Sequence, residues 1–212
     1  MAVKIHSSSV ESAHDWEHLF SSFKRFASKE SRVIEIGAST LARTRAIASL
    51  CHKVIAVEYF PERIPSDIEG NIAYIQGDWQ RLSDIIPQNT IDLAISSHVI
   101  EHIPDDLGAL DELYDVLKPG GAAFINTPNR KRLIRSIIEN FTGERKFPWW
   151  EHVREYIEPD LHNLIQRSKF PRYEIIPVCF GLQGGPFWIY STSAPKFARH
   201  LATFWEIHLF KD

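Results

Sequence analysis

Glycine is scarce at the one place where a nucleotide-binding reading of this chain most needs it. The stretch RVIEIGASTLARTRAIA, Arg32 to Ala48, has the order of a strand, a tight turn and a helix, yet it holds a single glycine, Gly37. A G-x-G-x-x-G loop is needed to seat a pyrophosphate against backbone amides, so a nicotinamide enzyme ranks well below other readings. Cysteine is nearly absent too. Cys51 and Cys179 belong to no C-x-x-C pair and no zinc spacing, which excludes a disulfide scaffold and leaves two buried structural thiols as the expectation. No window approaches the ~18 apolar residues of a membrane span, and the first residues lack an apolar run of signal length, so a cytoplasmic protein with no membrane partner is expected. Positive charge is not in excess either: 24 Lys and Arg against 27 Asp and Glu give a net charge of -3. Without a basic field to gather it, no nucleic-acid partner is expected.

What is present is enough apolar material, 44% of 212 residues, to bury one well-packed core. No repeat or linker divides the chain. It reads as one domain over 1–212, with a tail and helix up to residue 28, a core over 29–128 and an elaborated region with closing strands over 129–212. Trp16, Leu19, Phe20, Phe23 and Phe26 recur at helical spacing and predict a helix from about Ala13 to Ser28. Short β-branched runs follow: RVIEIG, KVIAVEY, IAYIQGD (72–78), IDLAISS (91–97) and GAAFINT (121–127), each expected after a helix. Leu107, Leu110, Leu113, Tyr114 and Leu117 form the apolar face of one such helix, which Pro119-Gly120-Gly121 is expected to stop. Strands alternating with helices predict a doubly wound α/β sheet. Beyond residue 128 come a basic helix, an aromatic loop, a second helix (EPDLHNLIQRS), a strand at 173–182 and a closing strand, TFWEIHLF, at 203–210.

In an open parallel sheet, ligands bind beyond the carboxyl ends of the strands. Glu35 and Gly37 end the first strand, Glu58 the second, Asp78 the third, and Ser97 with His98 the fourth. A carboxylate after the second strand suits a pair of ribose hydroxyls, which makes Glu58 the most informative single residue.

Taken together, VIEIGAST, VIAVEYFPE, IQGDWQ, DLAISSHVIEHIPD and LKPGGAAFINTPN resemble the class I S-adenosylmethionine-dependent methyltransferases, in particular the small-molecule group. The resemblance spans roughly residues 30 to 130, and HVREYIEPDLHNLI is similar to that group's C-terminal region. It implies a Rossmann-like sheet of seven strands in the order 3-2-1-4-5-7-6, the last one antiparallel. It also implies that S-adenosylmethionine gives its methyl group to an oxygen or nitrogen of a small molecule, leaving S-adenosylhomocysteine. By the same resemblance, Glu35, Gly37, Ala38 and Ser39 lie beside the amino acid part of the cofactor. Glu58 and Tyr59 hold the ribose, Asp78 and Trp79 meet the adenine, and Ser97 and His98 approach the methionine end. The family's acidic-x-Gly-x-Gly-x-Gly loop reads here Glu35, Gly37, Ser39, Leu41, and this departure supports a rival reading, a catalytically silent binding or partner subunit.

His98 and His102 are the candidate general bases, since an imidazole suits proton transfer near neutral pH. His98, Glu101 and His102 share the i, i+3, i+4 spacing of one helix face. Some RNA-end methyltransferases hold a divalent metal with a similar E-x-x-E-H and a distant histidine, for which His152 is the candidate. Because HVIEHI is ordinary in methyltransferases that use no metal, none is expected. Trp149, Trp150, His152, Arg154 and Tyr156 fall where such enzymes build a substrate lid and are expected to touch the acceptor. The run Arg130, Lys131, Arg132, Arg135 is read first as a solvated helix face and second as a hold for an acidic group. GLQGGPFW, with Gly181, Gly184 and Gly185, is read as a flexible loop at the pocket mouth or a plain connection between strands. The aromatic content leaves a homodimer open, and a saccharide, a natural-product intermediate and a quinone-like ring all fit as acceptors.

Overall fold

The computed structural model describes residues 11–38, 41–66, 70–142, 152–184 and 187–212. Its elements, in order, are α1 (Glu11–Lys24), β1 (Arg32–Ile36), α2 (Leu41–Ala48), β2 (Lys53–Glu58), β3 (Ile72–Gln76), β4 (Ile91–Ser97), α3 (Asp106–Val116), β5 (Leu117–Pro128), α4 (Leu133–Thr142), α5 (Glu158–Arg167), β6 (Arg172–Gly184), β7 (Phe187–Ser193) and β8 (Phe204–Phe210). They form a mixed sheet in the order β3-β2-β1-β4-β5-β8-β6-β7. The expected seven-strand order is thus present, with β8 antiparallel between β5 and β6. An additional strand, β7, pairs antiparallel with β6 at the edge. It takes up part of the segment read as a loop: Gly181 pairs with Tyr190 and Gly184 with Phe187, while Gly185 lies outside the described residues.

Strand alternation sorts the core into two layers. Ile34 and Ile36 turn toward α3 and α5, where they share a cluster with Leu110, Leu113, Leu161 and Ile165. Val33, Val54, Leu93 and Ile95 turn the other way, onto Leu19 and Phe23 of α1 and Ile47 of α2. α1, α2, α3 and α5 therefore each lay one apolar stripe on a sheet face, whereas α4 leaves Ile138 and Phe141 exposed.

Three expectations about helices are corrected. The helices expected before β3 and β4 are short 3-10 turns, Pro61–Arg63 and Trp79–Asp84. Pro61 and Pro65 restrict the first connection, and Arg81 breaks the second with φ -144° and ψ 39°. α1 ends at Lys24 rather than Ser28. α3 ends at Val116, and Pro119-Gly120-Gly121 lies inside β5, where the register against β4 shifts between Ile91 and Leu93. Gly120 has φ +80°, and a Cβ on Gly121 would lie 2.8 Å from the Lys118 carbonyl oxygen, so both glycines serve a bulge rather than a helix stop. Cys51 and Cys179 are free and buried as expected, and burial pushes their thiols up to about 11 and about 12. Among the described residues no helix is long and apolar enough to cross a membrane.

α1 is held to the sheet by charge as well as by apolar contact. His18 Nδ1 lies 2.6 Å from Glu206 Oε2 on β8, and His208 Nε2 lies 2.6 Å from Glu206 Oε1. Burial disfavours the Glu206 carboxylate, but His18, His208 and Ser22 outweigh it and bring the carboxyl down to about 2. A carboxyl held below its ordinary 4.5 stabilises the fold above that pH, and the contribution is lost as the pH falls from 4.5 toward 2. Glu206→Gln should cost on the order of 1–3 kcal/mol in urea unfolding at pH 7. The gap to the parent should shrink as the pH is lowered through that window; a constant gap would show that Glu206 carries no linked charge.

Candidate active site

β1 to β4 run parallel with their carboxyl ends level, Ile36 pairing with Val57 and with Ser96, and Glu58 with Gln76. The residues that leave these strands surround one cleft of about 630 Å³, within the range of small-ligand pockets. Gly37, Glu58, Tyr59, Asp78, Trp79, Ser97, His98 and His102 all line it. Gly37 makes the turn out of β1 with φ +75°, donating its N–H to the Val57 carbonyl at 2.9 Å. A Cβ there would sit 2.3 Å from Val99 Cγ2, so this one glycine is required twice, by conformation and by space.

Glu58 is buried, and its Oε1 accepts the Phe60 N–H at 3.0 Å. No donor among the described residues reaches Oε2. Asp78 caps the following turn: Oδ1 accepts the Gln80 N–H at 2.9 Å, and both oxygens accept from Gln80 Nε2 at 3.2 Å. Its remaining lone pairs, not a free carboxylate, are what a ligand would meet. Trp79 is 2% exposed and belongs to the core while forming part of the cleft wall. Trp79 Nε1 and Ser97 Oγ are buried and without a partner among the described residues. Glu35 and Ala38 are buried and do not line the cleft. Burial pushes the Glu35 carboxyl up to about 7 against the opposing pull of Thr44 and Arg43. Ser39 lies outside the described residues.

His98 adopts φ +56°, rare for a residue with a Cβ, and its N–H donates to Asn126 Oδ1 at 3.1 Å. Nε2 contacts Asp15 Oδ2 on α1, and Nδ1 lies 3.3 Å from Glu101 Oε1. Burial opposes the charged ring, but the two carboxylates outweigh it and push His98 up to about 10. An imidazole held protonated cannot accept a proton at neutral pH, so the expectation of His98 as general base is corrected. It anchors α1 at the cleft floor instead. His102 remains on the wall, at the end of the 3-10 turn Ile100–His102 rather than on an α-helical face.

The expected acceptor contacts divide. Trp149 and Trp150 lie outside the described residues. Tyr156 is buried, with its hydroxyl 2.9 Å from Asp106 Oδ2; burial and that carboxylate hold its pKa well above the usual phenol range. Arg154 donates to the carbonyls of Ile103 and Pro104 and pairs with Asp106 at 2.9 Å. These two fasten the segment to the turn above α3 and are structural, a correction to the substrate reading. The basic run is corrected as well: Arg130 pairs with Glu139 at 2.8 Å, and Arg132 and Arg135 close on the buried Glu155. Sequence reasoning missed several cleft residues, the polar and aromatic ones among them being Arg43, Phe60, Arg63 and Gln80. Arg43, two positions beyond Leu41 where the family's last loop glycine would stand, was the legible one. Its guanidinium carbon lies 4.8 Å over the Trp16 ring.

Residues 10–171 match the family described as "Methyltransferase domain". Over 112 residues, half of this chain and 46% of the relative, the sequence is 30% identical to the ubiquinone biosynthesis O-methyltransferase of Xylella fastidiosa. A probable S-adenosylmethionine-dependent methyltransferase of Mycolicibacterium smegmatis is 25% identical over 158 residues, covering 70% of this chain and 55% of the relative. The chain thus spans about half the length of these relatives. The crystal structure of a SAM-dependent methyltransferase from Archaeoglobus fulgidus shares the fold, with a TM-score of 0.67 over 95% of each chain at 16% identity.

Gly37→Ala should lower stability by about 1–3 kcal/mol, from the positive φ and the Val99 clash together. Adding Val99→Ala should return part of that loss, because it removes the clash and leaves the strain. Urea unfolding of the single and double variants measures both terms; an unchanged single variant would show that the turn is not fixed as described.

Proposed function

The chain belongs to the methyltransferase-domain family, and we propose that it transfers the methyl group of S-adenosylmethionine to an oxygen or nitrogen of a small molecule, leaving S-adenosylhomocysteine. The observation that carries this reading is Glu58 at the carboxyl end of β2. The Phe60 N–H fixes one of its oxygens and uses one of the carboxylate's lone pairs, which leaves acceptor capacity for two ribose hydroxyls at a residue that lines the cleft.

S-adenosylmethionine supplies a methyl group activated by its sulfonium. The chain's own residues bind, orient and enclose. Gly37 lets the ligand approach the backbone, Glu58 takes the ribose and Asp78 with Gln80 borders the adenine end. Arg43 reaches the cleft from α2 and takes the methionyl carboxylate by a charge-assisted hydrogen bond, the work that a loop richer in glycine gives to backbone amides. Displacement at the methyl group needs in-line alignment of the acceptor, and His102 is the cleft group that assists loss of the acceptor's proton.

The silent-subunit reading rests on Ser39 and Leu41. Arg43 speaks against it, since a cation facing the cleft compensates for the missing glycines. Calorimetric titration with S-adenosylmethionine separates the two. Micromolar binding is expected in the parent, weakened at least about 10-fold in Glu58→Ala, which loses hydrogen bonds to a charged group, and about 10-fold in Arg43→Ala. No binding at millimolar cofactor would sink the proposal and leave the partner-subunit reading in its place.

A further inference from the structure

We propose that α4 and the neighbouring 3-10 turn Lys196–Leu201 form a docking surface for an anionic lipid bilayer, with the helix lying in the plane of the interface. α4 has its two faces reversed. Arg135 and Glu139, one turn apart, are turned to the protein: Arg135 is buried against Glu155, and Glu139 lies 2.8 Å from Arg130. Ile137, Ile138 and Phe141 share the opposite face and are exposed, Phe141 by 88%. Ion pairs therefore hold the polar side inward, and the apolar stripe that a helix normally buries is presented outward.

The adjoining turn repeats the pattern. Phe197 is 86% exposed and follows the exposed Lys196. Asn129 ties this turn to the entry of α4 by donating to the carbonyls of His200 and Ala202 at 2.9 and 2.7 Å. Charge then favours one occupant. Residues 130–142 carry four cations, Arg130, Lys131, Arg132 and Arg135, against the single anion Glu139, in a chain whose net charge is -3. The cations remain in excess when the buried Glu155 is counted with them. Lys131 is exposed and has no ion pair among the described residues. Lysine beside exposed aliphatic and aromatic side chains suits a surface of phosphate-bearing headgroups over hydrocarbon. A second copy of the chain is the competing occupant. Three side chains of a ten-residue helix, two of them partly covered, fall well short of the ~800 Å² per partner of a stable dimer. A bilayer sets no such minimum, because each inserted side chain adds to the partition by itself, and a helix lying in the interface needs no spanning length.

Docking of this kind is shallow and reversible. Ile138, Phe141 and Phe197 enter the boundary between headgroups and acyl chains, while Lys131 and Lys196 stay at the level of the phosphates. α4 follows the carboxyl end of β5, so the docked helix begins at the sheet edge that also bears the cleft. No cleft residue belongs to the surface, and the proposal therefore stands apart from the methyl-transfer reading.

The test is sedimentation of the full chain with vesicles of phosphatidylcholine alone and of an equal mixture of phosphatidylcholine and phosphatidylglycerol. Binding is expected to the mixed vesicles, weaker binding to the neutral ones, and a loss of affinity with added salt. Phe141→Ser should weaken binding to the mixed vesicles at least about tenfold, and Phe141→Ser/Phe197→Ser further. Lys131→Gln should weaken it about fivefold. Circular dichroism checks that each variant is folded. No binding to the mixed vesicles, or binding unchanged in Phe141→Ser/Phe197→Ser, overturns the proposal. Analytical ultracentrifugation without lipid is the second arm: a dimer that Phe141→Ser dissociates, in a chain that does not bind vesicles, rejects the bilayer and gives this face to a second copy.

Discussion

The structure depends on a line of charge in which two buried carboxylates meet one imidazolium at the cleft floor. Asp15 of α1, His98 at the end of β4 and Glu101 in the next turn contact one another in sequence, with Asn126 of β5 donating to Asp15 at 3.2 Å and Thr127 to Glu101 at 3.0 Å. Two carboxylates out of water need a cation, and the imidazolium is the one that serves both. Through it α1, the floor of the cleft and the middle of the sheet are fixed together. The positive φ of His98 is tolerated because these contacts determine its position from several sides.

A similar economy governs the cleft wall. Gly37 stands at a turn with positive φ packed against Val99, where any side chain is strained and obstructed. Beyond it, polar side chains line the cleft. Arg43 enters from α2, Glu58 is preset by the Phe60 amide, and Asp78 is tied to Gln80. A ligand in this cleft meets groups already oriented, so little ordering remains to be done on binding.

The segment 152–156 shows how far a residue's type can mislead about its work. Arg154 and Tyr156 are the sort of side chains that bind substrates, yet they are consumed in joining this segment to the turn before α3. Their effect on the site is indirect: they bring His152 to Glu101 and His102. In the same way Arg132 and Arg135, which look like an exposed basic face, neutralise a buried carboxylate that orients His152.

The sequence alone determined the alternation of strands and helices and the polar residues at the strand ends, because strand alternation, turn residues and the position after a strand are local properties; the strand order came from the resemblance to class I methyltransferases. Gly37, Glu58, Asp78 and Ser97 could be read from their place in the chain. What only the tertiary structure decided is which charges meet. Asp15 and His98, or His152 and Glu101, are far apart along the chain, and no periodicity links them. Whether His98 is a base or a cation held between two buried carboxylates, and whether Arg154 is free for an acceptor, follow from long-range packing, where the partner of each charge sets its protonation and its role.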